Sequence, residues 1–126
     1  MNGVSRWFLS LAALFALIGM AWGIQMSATQ DHMLSPAHGH LNLIGFVAMS
    51  IFGFYYALTP QANGRLAIAH LVLTVLAVVV LTPGIAMAIS GTGETMAKVG
   101  SVLAILAMAI FAYTVIRYGV GQKKLA

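Results

Sequence analysis

Acidic residues are almost absent from this chain, and cysteine is absent altogether. Its 126 residues include two acids, Asp31 and Glu94, and no cysteine. Without cysteine the chain can form neither a disulfide framework nor a thiolate metal site. The two acids are expected in separate loops, so they do not form the carboxylate pair that acid–base hydrolysis uses. Phosphate-binding loops and serine triads are missing as well, and nothing in the sequence indicates a hydrolase.

Charge of either sign is scarce. Charged residues make up 6% of the chain and hydrophobic residues 61%, whereas charged residues are about a quarter of a soluble domain. A soluble core of this length could not bury so much apolar surface, so the sequence predicts a lipid environment. The net charge of +4 would indicate a nucleic-acid partner only if the basic residues formed a patch. They occur singly at the ends of apolar runs, as in membrane proteins, so no nucleic acid is expected.

Four apolar runs are long enough to cross a bilayer, which takes about 20 residues. They predict helices over about residues 7–26, 37–59, 66–90 and 99–116. The connections are short, so neighbouring helices are expected to run antiparallel. The predicted fold is an all-α membrane protein in which residues 1–126 form one four-helix transmembrane domain. The first run is longer than the core of a secretory signal, about 7–15 residues, and lacks a clear cleavage site, so we expect it to be retained.

The distribution of basic residues predicts the orientation of the chain. Five of them lie at the two termini and in the second loop, namely Arg6, Arg65, Arg117, Lys123 and Lys124. The first and third loops hold both acids and a single basic residue, Lys98. The positive-inside rule therefore places both termini in the cytoplasm. We expect a multi-pass protein of the bacterial inner membrane, with residues 35–40 on the outer side.

Two histidines, His38 and His40, flank Gly39 where the second helix begins. Ser35 is expected to cap this helix and Pro36 to occupy its first position. Side chains two residues apart on an α-helix point about 200° from each other, so one metal ion cannot easily take both imidazoles from one helix. The pair suits two different neighbours, or one ligand role and one structural role. Interfacial hydrogen bonding to lipid headgroups, water or backbone is the simpler alternative.

The segment from Ala37 to Pro60, AHGHLNLIGFVAMSIFGFYYALTP, resembles the histidine-bearing helices of heme-copper oxidase subunit I. The likeness is closest to that family's tenth helix, in which a His-x-His pair precedes an apolar run, a glycine–aromatic step and a proline. These features are carried here by His38, His40, Leu43, Gly53, Tyr55 and Pro60. The family's second helix, with a single histidine, is similar over residues 37–39. The resemblance covers about a fifth of the chain.

The resemblance implies a homotrimer, because the family's twelve helices form three similar arcs of four. It also implies a heme b near the periplasmic face, with His38 of one subunit and His40 of the next as axial ligands of the iron. Gly39, which removes a side chain that would crowd a flat ligand, and Asn42 would lie beside this heme. The implied activity is electron transfer, with quinol or a periplasmic electron carrier as partner. The family's adjacent copper-ligating histidines and crosslinked tyrosine have no counterpart here, so a complete oxidase is not expected.

Other residues are secondary candidates. Asn42 could donate to a ligand imidazole, to a heme propionate or to a neighbouring helix. His70 is expected near the inner end of the third helix, about 25 Å from the level of His38, and so cannot share its iron. We expect His70 to snorkel or form a hydrogen bond at its helix end; a second metal, a proton relay or a quinone contact is the alternative. His32 is expected in the outer loop, solvated or against a heme edge.

Three methionines, Met26, Met33 and Met87, lie toward the outer side, and a thioether is a possible second axial ligand. Two function classes besides a cytochrome stay open. In the first, the two imidazoles, His32 and nearby methionines bind copper or zinc at the outer mouth, since thioether and imidazole ligands suit Cu(I). In the second, the chain is a non-catalytic assembly subunit of a respiratory complex, with histidines that are only interfacial.

Overall fold

The computed structural model describes residues 3–124 and contains four long helices. They are α1 (Gly3–Thr29), α2 (Ser35–Leu58), α3 (Arg65–Ile89) and α4 (Thr95–Tyr118). No strand occurs in this part of the chain. Each helix is long and apolar enough to cross a membrane, which confirms the all-α fold and fits a multi-pass membrane protein. The bounds agree with the predicted helices to within four residues.

Proline and glycine mark the ends of the helices. Pro36 lies in the first turn of α2, one position later than predicted, and the expected cap by Ser35 is wrong. Ser35 is already the first helical residue, because Leu34 takes the capping position and its carbonyl accepts the first helical hydrogen bond, from the backbone N–H of His38 at 3.0 Å. At the other end of the chain, α4 ends at Gly119, whose φ of 70° lies in the left-handed region that favours glycine.

The middle of α2 departs from α-helical geometry. Leu41–Ala48 forms a π-helix of eight residues, beginning directly after His40 and including Asn42. π-helical turns are rare and often occur at functional sites. The sequence of this segment, LNLIGFVA, is an ordinary apolar run, so the pattern of residues did not indicate it.

Glycines set the distance between α3 and α4. A Cβ added at Gly100 would lie 2.5 Å from Cα of Leu81, and one added at Gly84 would lie 2.6 Å from the backbone nitrogen of Ala97. Both neighbours are backbone atoms, which cannot turn aside as a flexible side chain can. Helices in a lipid environment associate largely through such close packing of small residues. These two glycines therefore allow the close contact between α3 and α4.

A cluster of aromatic side chains forms the centre of the core. The rings of Phe8 and Tyr56 are stacked with centroids 5.7 Å apart, and Phe52 meets Phe8 edge-on at the same distance. Phe8, Tyr56 and His70 are fully buried within the chain. Large apolar side chains are exposed on all four helices, as expected of surfaces that face lipid or another subunit.

Candidate functional site

His40 lies on the exposed side of α2, with one ring nitrogen held by its own helix. Its Nδ1 is 2.7 Å from the carbonyl oxygen of Pro36. A carbonyl can only accept, so Nδ1 carries the proton and donates, and in the neutral ring Nε2 bears the lone pair. A backbone carbonyl on one nitrogen fixes the tautomer and orientation of a histidine that binds metal through the other. His40 thus lies on the exposed side of the helix with a lone pair on Nε2.

His38 lies half-buried against α1. Its Nε2 is 2.8 Å from the carbonyl oxygen of Gly19, so Nε2 carries the proton and donates to it. The side-chain nitrogen of Asn42 is 3.2 Å from the same Nε2, and it donates instead to the carbonyl of His38 at 3.0 Å. The ring of Trp22 meets the imidazole edge-on at 5.6 Å. In this tautomer the lone pair of His38 is on Nδ1.

The surface of α1 that faces His38 and Asn42 carries glycine at two positions, Gly19 and Gly23. A Cβ at Gly19 would overlap the side-chain oxygen of Asn42, and one at Gly23 would lie 3.3 Å from Nε2 of His38. The sequence interpretation missed both residues and Trp22. The spacing Gly19-x-x-x-Gly23 is the signal that could have found them, since it permits close helix contact.

Gly39 has a different environment from these two glycines. It is exposed, and no atom outside its own part of the helix lies within 4 Å of an added Cβ. Its lack of a side chain is therefore not explained by packing within the chain. The open surface beside His40 fits the sequence interpretation that Gly39 leaves room for a flat ligand.

The remaining outer candidates lie apart in the structure. His32 is exposed in the loop before α2, where its carbonyl accepts from Ser35. Met87 is half-buried near the end of α3, and its carbonyl accepts from the backbone and hydroxyl of Thr92 at 2.9 and 3.0 Å. Within residues 3–124, no group of three or more His, Cys, Asp or Glu side chains is placed to hold a metal ion.

His70 lies in the core, so the snorkelling alternative of the expectation is wrong, whereas the expected hydrogen bond is present. The side chain is fully buried, and its Nδ1 is 2.8 Å from the hydroxyl of Tyr56. The rings of Phe8, Phe52 and Phe111 surround it, with centroids 5.2, 4.5 and 5.9 Å away. Its Nε2 is buried without a hydrogen-bond partner among the described residues. The Tyr56 hydroxyl is what makes this burial possible, because it supplies a polar partner inside the apolar cluster.

We expect Tyr56→Phe to lower the free energy of unfolding by about 1–3 kcal/mol. The substitution keeps the stacking on Phe8 but leaves Nδ1 of His70 buried without the hydroxyl. The measurement is unfolding of the purified protein in detergent. Tyr113→Phe is the matched control, because Tyr113 is 54% exposed; it should change stability by less than about 0.5 kcal/mol. Equal effects of the two substitutions would show that the Tyr56–His70 hydrogen bond does not stabilise the core.

Comparison with known proteins does not assign a role to this arrangement. No protein-family model, curated protein or solved structure matches the chain. The function is therefore inferred from His38, His40 and the groups that hold them.

Proposed function

We propose that the chain is a b-type cytochrome of the bacterial inner membrane, which binds heme at the outer end of α2 and transfers single electrons. The observation that carries the proposal is the exposure of His40 together with the hydrogen bond of its Nδ1. Its ring is exposed, its Nδ1 donates to the Pro36 carbonyl, and its Nε2 lone pair is available to a metal. The resemblance of residues 37–60 to heme-copper oxidase subunit I supports heme as the group that is bound. Heme would supply a one-electron iron couple.

His40 of one subunit and His38 of the next are the axial ligands in this proposal. The Pro36 carbonyl orients the first imidazole and the Gly19 carbonyl the second. While the bond to Gly19 persists, the nitrogen of His38 that fits iron is Nδ1; use of Nε2 requires that bond to break. Asn42 holds the start of the π-helical segment against His38, and Gly39 leaves the surface between the two histidines open.

The antiparallel arrangement of the helices belongs to the same proposal. Phe8, early in α1, packs on Phe52, late in α2, whereas Gly23, late in α1, lies next to His38, early in α2. This order of contacts is the one that antiparallel neighbours make. The basic residues at the two termini and in the second loop support a cytoplasmic location for both termini.

A homotrimer is proposed because the resemblance of residues 37–60 implies three copies of a four-helix unit. His38 contacts α1, whereas His40 is on the exposed side of α2, so in this arrangement a neighbouring subunit would supply the second imidazole. The exposed apolar side chains on all four helices leave surface for such a neighbour. The outer location of the histidines makes membrane quinol and a periplasmic electron carrier the proposed redox partners.

The test is a reduced-minus-oxidised absorption spectrum with a pyridine hemochrome assay and native mass spectrometry. We expect a sharp low-spin b-type signal, about one heme per chain, and a trimer mass. A featureless spectrum from protein produced with ample heme would overturn the cytochrome proposal. Copper or zinc retained without a porphyrin band would identify the metal-binding alternative. Neither group, together with a partner protein retained after gentle solubilisation, would identify an assembly subunit.

A further inference from the structure

The loop that follows α4 forms a cavity against the connection between α2 and α3. The cavity has a volume of about 490 Å³ and is lined by Gln61 and residues 117–123, including Arg117 and Lys123. Ligand pockets in proteins span about 300–1,000 Å³, so it is large enough for a phosphate with an attached glycerol. It lies at the opposite end of α2 from the histidines.

Three hydrogen bonds hold this loop in place. The hydroxyl of Tyr55 donates to the carbonyl of Gly119 at 2.7 Å, and the side-chain amide of Gln61 donates to the carbonyl of Gly121 at 2.8 Å. The backbone N–H of Gly121 donates to the hydroxyl of Thr59 at 3.0 Å. The end of a helix ordinarily repels anions through its carbonyl groups. At the end of α4 the carbonyl of Val115 accepts from the backbone N–H of Gly119 at 2.8 Å, and that of Tyr118 accepts from the side-chain amide of Gln61 at 3.4 Å, which reduces that repulsion.

The cations of the cavity have no acidic side chain near them. The chain has two acids. Glu94 pairs with Lys98 at 3.6 Å, at the beginning of α4, whereas Arg117 is at its end. Asp31 precedes α2, about 35 Å from the end of that helix at 1.5 Å per residue. No side-chain carboxylate of the chain therefore pairs with Arg117 or Lys123, and both charges are available to an anion from outside.

We propose that this cavity binds the phosphate of an anionic phospholipid. It lies at the end of membrane-spanning helices, where lipid headgroups are found, and juxtamembrane Lys and Arg residues attract anionic lipid. A guanidinium can bind a phosphate through two hydrogen bonds. The guanidinium of Arg117 lies over the ring of Tyr118, 5.5 Å from its centroid. Arg117 and Lys123 supply the charge, and the anchored loop supplies the shape. This site is independent of the heme proposal.

The experiment measures lipid retention by the full chain, delipidated in a neutral detergent, using native mass spectrometry. Phosphatidylglycerol is expected to bind at least about tenfold more tightly than phosphatidylcholine, because it has a net negative charge, whereas the choline group neutralises the phosphate charge of phosphatidylcholine. The double variant Arg117→Gln/Lys123→Gln is expected to lose that preference. Its control, Arg6→Gln/Arg65→Gln, also removes two exposed cations that are predicted on the same side, and it should keep the preference.

Equal losses in both double variants would show general charge attraction and overturn the site. Retention of inorganic phosphate without retention of phosphatidylglycerol would also overturn it, because the cavity would then bind free phosphate rather than lipid. Lys123→Gln alone changes a residue beyond the last helix, where no transmembrane packing is lost. It should weaken the preference even if the double variant unfolds; an unchanged preference would contradict the proposal.

Discussion

Replacing His40 with alanine is expected to abolish the low-spin heme absorption that the cytochrome proposal predicts for the purified protein. His40 is the exposed histidine of the pair, and the Pro36 carbonyl fixes the orientation of its ring. Loss of one axial ligand removes the six-coordinate iron and most of the heme affinity. His38→Ala should have the same spectral effect and should also lose the hydrogen bond to Gly19. Heme content and the reduced-minus-oxidised spectrum are the measurements.

Two further variants separate ligand loss from misfolding. His32→Ala removes an exposed imidazole from the loop before α2 and should leave the spectrum unchanged. Gly39→Leu fills surface where no atom of the rest of the chain lies within 4 Å. It should lower heme content without lowering the unfolding temperature, because no packing contact inside the chain is disturbed. A normal spectrum in His40→Ala would exclude His40 as an axial ligand.

Gly100→Val is expected to be among the most destabilising substitutions in the chain. A Cβ there lies 2.5 Å from Cα and 2.7 Å from the nitrogen of Leu81, so α4 has to move away from α3. This pair of helices forms the most extensive interface in the fold. Overpacking of this kind costs about 1–3 kcal/mol, and more where backbone must shift. The measurement is denaturation in mixed micelles of neutral and ionic detergent.

The matched control for this substitution is Gly3→Val. Gly3 is also helical, but no atom outside its own part of the helix lies within 4 Å of an added Cβ. Its unfolding midpoint should stay close to that of the unchanged protein. If both variants unfold at the same midpoint, the close approach at Gly100 contributes nothing particular to stability.

The positions of the helices could be predicted because they depend on local composition. Each apolar run has the length that a bilayer requires, and proline or glycine marks its ends, as at Pro36 and Gly119. The burial of His70 could not be predicted in this way. One turn into an apolar helix, an imidazole can turn to water or to the interior, and the choice depends on Tyr56, 14 residues earlier in the chain.

The candidate site was predictable in part for the same reason. The spacing of His38 and His40 is local, and helix geometry alone directs them to different neighbours. The contact that fixes the tautomer is local in sequence for His40 but not for His38. The Pro36 carbonyl is four residues from His40, but the Gly19 carbonyl is 19 residues from His38 and on another helix. A partner of this second kind becomes visible only when α1 and α2 are packed together.

The π-helical segment within α2 separates the two histidines at the beginning of this helix from the buried aromatic residues near its end. Leu41–Ala48 follows the histidines and precedes the aromatic core residues of the same helix. Because a π-helix has more residues per turn than an α-helix, this segment changes the direction in which side chains before it point relative to those after it. Removing one residue from it would turn the histidines by about 100° relative to Phe52 and Tyr56. The segment therefore sets the direction of His38 and His40 separately from the packing of Phe52 and Tyr56.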